Sequence, residues 1–278
     1  MKRTFQPAIK WSGSKRSQSV EILKHFPSEI GTYYEPFCGG CSVLRALLDS
    51  GITAAHFVCS DINADLINLW NEIKVNPNAV HSTYEEHWHN LNDKDDDKER
   101  KRAYFETVRE RLNNEHNPHD FFFIMRTTTN GMPRYNRNGM FNNSFHITRD
   151  GIHPEKVLPI LLEWSEKLRE NDVEFIARDY SVINPSENDF LYLDPPYANT
   201  KGMYFGGFDS ERMFSWLRGL KCRWALSYDG ISGENDCTYD VPRDIYSKHV
   251  YIKSGNSSFR RVIGNSKDSI VYESLYLS

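Results

Sequence analysis

Five short apolar runs, each giving way to polar or acidic residues, constrain this chain more than any other feature of its sequence. Thr32–Glu35 leads into Pro36–Phe37–Cys38–Gly39–Gly40, and His56–Cys59 ends at Ser60–Asp61. Glu174–Ala177 ends at Arg178–Asp179, Phe190–Leu193 at Asp194, and Trp224–Ser227 at Tyr228–Asp229. Near-continuous apolar runs of this length suit strands covered on both faces. Helical patterns at Ser42–Leu48 and Leu158–Leu168 fall between them. Alternating strands and helices predict an α/β fold with a doubly wound, mainly parallel sheet. Two late segments, His249–Ser254 and Asp268–Leu277, predict an antiparallel hairpin at its edge.

Between about residues 65 and 150 the strand signal disappears. Leu66, Leu69, Trp70 and Ile73 fall at helical spacing, and Phe121–Met125 reads as buried core. The run Asp93–Arg102 holds five acidic and five basic residues, sums to zero charge, and reads as a solvated helix face or loop. His87, His89, His116 and His119 read as surface residues of this polar region. The expected organisation is a catalytic unit from 1–64 and 151–278, with 65–150 as a helical insertion. A chain of 278 residues has room for two such units.

Hydrophobic residues make up 39% and charged residues 26%, which excludes a disordered or fibrous chain. A formal charge of −4 argues against coating nucleic acid by charge alone, while allowing local basic surfaces. No apolar run exceeds Phe121–Met125, so no membrane span is expected. The basic N-terminus lacks the apolar stretch of a secretory signal. Five cysteines do not suggest a disulfide framework, and a reducing cytoplasm is the expected setting. Cys38 and Cys41 have CxxC spacing, but the remaining cysteines form no second pair, so no metal is expected.

The sharpest motif is Asp194–Pro195–Pro196–Tyr197, directly after a predicted strand. In open α/β sheets ligands sit beyond the carboxyl ends of strands. Two prolines hold the segment extended and leave its carbonyls able to accept hydrogen bonds. Asp194 and the Pro195 carbonyl could accept the two protons of an amino-bearing base, while Tyr197 stacks on its ring. The second motif is Glu35–Pro36–Phe37–Cys38–Gly39–Gly40–Cys41–Ser42, a strand-to-helix turn whose glycines allow close backbone approach. Asp61 follows Gly40 by 21 residues, the spacing at which an acid accepts ribose hydroxyls in nucleotide-binding units. A third segment, Lys10–Trp11–Ser12–Gly13–Ser14–Lys15, could fold back over a cofactor. Met203–Gly207 could form a lid or an ordinary loop.

Taken in order, KWSGSK, EPFCGGCSVL, SDINADLINLWNEIK, RYNRNGMFN and YLDPPY resemble the Dam family of DNA adenine N6-methyltransferases. The resemblance implies a Rossmann-like, S-adenosylmethionine-dependent catalytic unit, with 65–150 as a target-recognition domain. Trp11, Lys15, Phe37, Gly39, Asp61 with its neighbour Ile62, Asp179 and Asp194 match its cofactor positions. Asp194–Tyr197 match its catalytic motif. Arg134 and Asn136 are base-reading candidates, since Arg can read guanine and Asn adenine. Arg137 could hold a phosphate, and Asn130, Met132 and Ser144 complete the expected DNA surface. Arg126, Lys253, Arg260, Arg261 and Lys267 could extend it. Duplex DNA is the implied partner, with no obligatory protein partner. Two departures stand out. The family turn Phe-x-Gly-x-Gly ends here in Cys41, and Phe141–Asn142 is followed by Asn143–Ser144–Phe145–His146 where the family has Val-Pro-Phe-Gly. GATC is the family's usual target, and the second departure leaves this chain's own target open. An RNA adenine methylase and a non-catalytic DNA-binding module of the same fold are the alternatives.

Overall fold

The computed structural model describes residues 5–93, 97–148, 150–196, 208–256 and 270–278. The chain begins with a short helix, α1 (Ser19–Leu23), and then alternates β1 (Glu29–Glu35), α2 (Ser42–Leu48) and β2 (Thr53–Asp61). Four helices follow without a strand: α3 (Ala64–Val75), α4 (Pro77–Asn92), α5 (Lys98–Glu115) and α6 (Pro118–Thr127). Alternation resumes with α7 (Pro154–Glu170), β3 (Glu174–Ala177), β4 (Phe190–Leu193), α8 (Ser210–Arg218) and β5 (Arg223–Ser232). The last elements are β6 (Asn235–Asp236), β7 (Lys248–Asn256) and β8 (Ile270–Leu277).

The main sheet runs β3-β2-β1-β4-β5-β8-β7, with β6 paired to β5. Strands from β3 to β5 are parallel to their neighbours. β8 is antiparallel to both β5 and β7. This is a mixed α/β sheet, mostly parallel, with antiparallel C-terminal strands, as the apolar runs predict. All four residues of β4 are buried, because the strand is central and covered on both faces.

Three of the four helices from α3 to α6 start where the sequence supplies a side-chain cap. Asn63 accepts from the Leu66 amide at the start of α3, Asp97 from Glu99 at α5, and Asn117 from His119 at α6, where Pro118 takes the first helical position. α3 also belongs to the sheet's packing. Trp70 is fully buried, stacks on Phe175 of β3 at 5.6 Å between ring centroids, and meets Trp164 of α7 at 5.0 Å. Hydrophobic packing therefore runs unbroken across residue 65, and Phe121–Met125 lie fully inside it on α6.

Three expectations are corrected by this packing. His87 is buried, bonded to Tyr104 Oη at 2.8 Å and Asp120 Oδ1 at 3.0 Å, because Arg111 brings a compensating charge to Asp120. Lys101 is buried too, its charge met by Asp150 at 2.6 Å, so the mixed charge run is not solvated throughout. The Arg126 guanidinium turns inward to the Ala8 carbonyl and lies over the Phe122 ring at 4.8 Å, which takes it away from any DNA surface.

Candidate active site

β1 pairs with β4 through Tyr33–Phe190 and Tyr34–Leu191, while the chain's path leaves β1 toward β2 and β4 toward β5. Strand order therefore reverses between them, which opens a crevice at their carboxyl ends. The glycine turn follows β1 and Asp194 follows β4, so topology alone brings the two motifs face to face. A cavity of about 340 Å³ fills the crevice, within the range of small-molecule sites. Trp11, Lys15, Phe37, Gly39, Asp61, Ile62, Asp179 and Asp194 all line it, as do Pro195 and Pro196. Tyr197 and Met203–Gly207 lie outside the described residues.

The turn is fixed from below and above. Cys38 N donates to Ser60 O at 3.0 Å, and Cys41 N closes the turn on Cys38 O at 2.7 Å. Gly39 has φ of +44°, and a Cβ there would come within 2.6 Å of Trp11 Nε1. The close approach that requires glycine is thus that of the Trp11 indole. Cys41, standing where the family pattern has glycine, has φ of +51° and ψ of +35°. It adopts the left-handed conformation despite its Cβ, at a cost of about 1–2 kcal/mol. Trp70 Nε1 donates to Gly39 O at 2.9 Å, so a fully buried ring holds the turn's carbonyl.

Two acids face the cavity, and burial raises both. Asp61 accepts from Asn63 N at 3.0 Å and Gly39 N at 3.3 Å. Burial nevertheless pushes it up to about 6. Glu35 accepts from Tyr33 Oη at 2.6 Å and Leu44 N at 2.9 Å, and burial pushes it up to about 8. Ile62, beside Asp61, is 62% exposed at the cavity edge, an apolar surface suited to a flat ring. Asp179 accepts from Ser181 and pairs with Arg212 at 3.1 Å. Burial works against its charge, but these partners outweigh it and hold the carboxyl below its usual range.

Lys15 Nζ lies 2.9 Å from Asp194 Oδ1 and 3.3 Å from Glu273 Oε2 on β8. Burial alone would depress the ammonium, yet the two carboxylates outweigh it and raise its pKa above the usual lysine value. The sequence reading missed Glu273, which lies 258 positions from Lys15 with no spacing to connect them. It also missed Arg212 and Tyr135, both of which line the cavity. For Tyr135, its place inside the quoted RYNRNGMFN run was the one available signal.

The expected DNA-reading residues form a separate surface. Residues 134–142 make a short antiparallel ribbon, with Tyr135 bridged to Phe141 and Asn136 N donating to Met140 O at 2.9 Å. Tyr135 and Phe141 are buried; Arg134, Asn136 and Arg137 alternate outward or sit at the tip. Asn136 Oδ1 accepts from the amides of Asn138 and Met140, at 2.9 and 3.1 Å, and so builds the turn itself. Asn113 clamps the ribbon to α5 by pairing with both backbone groups of Phe141. Asn130 and Ser144 are exposed nearby, and Met132 is half-buried. Tyr135 Oη accepts from Asn63 Nδ2 at 2.9 Å, which ties the ribbon to the Asp61 turn. Ser12 N donates to Gly131 O at 2.9 Å, a second tie between the two regions.

Comparison with known proteins shows the family. The profile of the family described as D12 class N6 adenine-specific DNA methyltransferase matches residues 11–215. The retron Ec67 DNA adenine methylase of Escherichia coli is 27% identical over 258 residues, covering 90% of this chain and 84% of that methylase. The DNA adenine methylase of Vibrio cholerae is 29% identical over 197 residues, or 68% of this chain and 64% of its own. The type II methyltransferase M.MjaIII of Methanocaldococcus jannaschii is 30% identical over 209 residues, 69% of each chain.

Proposed function

The chain belongs to the D12 class of N6 adenine-specific DNA methyltransferases, and from that membership we propose that it methylates the amino group of an adenine turned out of duplex DNA, using S-adenosylmethionine. The observation that carries this reading is the shared cavity: the glycine turn, Asp61 and Asp194 converge on one crevice at the strand switch. Work in the cytoplasm and a GATC-like target belong to the same proposal.

The cavity's donor set fits the cofactor. Asp61 would hold ribose hydroxyls, Ile62 and Asp179 the adenine ring, and Trp11 and Gly39 the methionine end. When bound, S-adenosylmethionine supplies an electrophilic methyl group. The chain's own residues prepare the acceptor. An exocyclic adenine nitrogen is a poor nucleophile because its lone pair is delocalised into the ring. Asp194 and the Pro195 carbonyl accept its two protons, which favours the pyramidal geometry that localises the lone pair. Pro195 and Pro196 keep that carbonyl fixed. Positioning of this kind supplies much of the rate. Turning the base out costs a few kcal/mol, and stacking on Tyr197 returns about 1–3 kcal/mol.

Asp61 gives the cofactor site a pH dependence. Ribose hydroxyls donate to the charged carboxylate, so binding favours that form and releases a proton. With Asp61 held at about 6, affinity rises with pH through that value and levels off above it. Calorimetry is expected to give a dissociation constant about ten-fold larger at pH 5 than at pH 7. Asp61→Asn should remove that pH contrast as well as weaken binding.

The direct test is transfer of labelled methyl to DNA and to RNA, followed by base-resolution mapping of modified adenines in genomic DNA. The proposal expects labelled duplex DNA and one mapped motif; methyl transfer to RNA alone would overturn it. Arg134→Ala is expected to relax the motif at one base position, losing about 1–3 kcal/mol of discrimination there. Equal weakening at every site would make Arg134 a phosphate contact.

A further inference from the structure

We propose that Glu273, on β8, is a positioning residue for methyl transfer, acting through the Lys15 ammonium on Asp194. The inference rests on the reading of Asp194 as the acceptor for the target amino group. Lys15 is nearly buried, with a side chain 5% exposed, and stands between two carboxylates rather than against one. A single buried partner would claim the whole ammonium and weaken Asp194 as an acceptor for anything else. Glu273 shares that charge. It holds Lys15 at one oxygen of Asp194, which fixes the carboxylate's rotation and preserves its pull on the adenine protons. Glu35, which also lines the cavity, is held instead by Tyr33 Oη at 2.6 Å and Leu44 N at 2.9 Å.

Glu273 is itself braced. Ser254 Oγ on β7 donates to Glu273 Oε1 at 3.2 Å, and Gln18 Nε2 donates to Ser254 Oγ at 2.8 Å. Ser17 Oγ adds a bond to Ser254 O at 3.1 Å. The segment that carries Lys15 is therefore laced to the C-terminal strand pair at several points. Both Ser254 and Glu273 lie beyond residues 11–215, the stretch the family profile matches.

The test separates kcat from KM in three variants. Glu273→Gln keeps shape and removes charge; kcat is expected to fall about 10-fold, with KM for S-adenosylmethionine and for DNA within about two-fold of the parent. Glu273→Asp restores the carboxylate and should recover kcat to within about three-fold of the parent. Ser254→Ala loosens Glu273 and should cost about three-fold in kcat at unchanged KM, a readout that survives if Glu273→Gln fails to fold. Parental kcat in Glu273→Gln, or in Ser254→Ala, overturns the proposal, as does a Glu273→Asp enzyme no faster than Glu273→Gln. Asp194→Asn is assayed alongside. Activity there would sink the underlying reading of Asp194, whereas an inactive Asp194→Asn beside a fully active Glu273→Gln would sink only the role of Glu273.

Discussion

Asp194→Asn is expected to lower the single-turnover rate of methyl transfer about 10³-fold, while S-adenosylmethionine still binds within a few-fold of its parental affinity. The substitution keeps the shape of the side chain and changes what it presents. Lys15, 2.9 Å away, demands an oxygen, so the amide turns its oxygen to the ammonium. Its NH2 then faces an adenine amino group that also offers only protons. Acceptance becomes a clash of donors, and the lone pair on the target nitrogen stays in the ring. Little stability should be lost, because Glu273 continues to balance Lys15 at 3.3 Å. A melting temperature near the parent's, with the rate collapsed, would locate the loss in chemistry. Transfer within ten-fold of the parent would remove Asp194 from the reaction.

The largest expected loss of stability lies at Trp70→Ala, about 3–5 kcal/mol, the usual cost of emptying a fully buried aromatic site. Trp70 carries three contacts at once. It stacks on Phe175 of β3, meets Trp164 of α7, and donates its indole proton to Gly39 O. Its removal would open a cavity among elements that cannot close on it without shifting the sheet. At about 2–4 °C per kcal/mol for a chain this long, the melting temperature should fall by roughly 6–20 °C. Trp70→Phe retains most of the packing and loses the hydrogen bond. It should cost less stability and still weaken cofactor binding, because the glycine turn loses its anchor. A Trp70→Phe enzyme with parental affinity would show that the turn holds its shape unaided.

How far the sequence reading reached depended on how local each signal was. β3, β4 and α2 have the boundaries their residues predict, because apolar runs that stop at a polar residue mark both burial and strand end. The cavity-lining acids were readable for the same reason, since Asp61 ends β2 and Asp179 and Asp194 lie just beyond β3 and β4. What escaped was carried by distance. Glu273 meets Lys15 only because β8 enters the sheet beside β5, and no spacing along the chain records that neighbour. His87 looked like a surface residue because its compensation comes from Asp120 and Arg111 on other turns and helices. Cys41 is a different case. The family pattern has glycine there, and Cys41 nevertheless takes the left-handed conformation, its amide closing the turn on Cys38 O.

The order in which strands sit beside one another also governs when the molecule can become an enzyme. β8 follows β7 along the chain, yet it is the inner of the two, flanked by β5 and β7. Until it arrives, β5 and β7 lack a common neighbour, and the growing chain presents open backbone edges that invite pairing with other nascent chains. The same late arrival delivers Glu273 to the crevice. The other lining elements of the crevice precede β8 along the chain, so the site is completed only once β8 has been made, and slower translation or lower growth temperature should raise the yield of active protein.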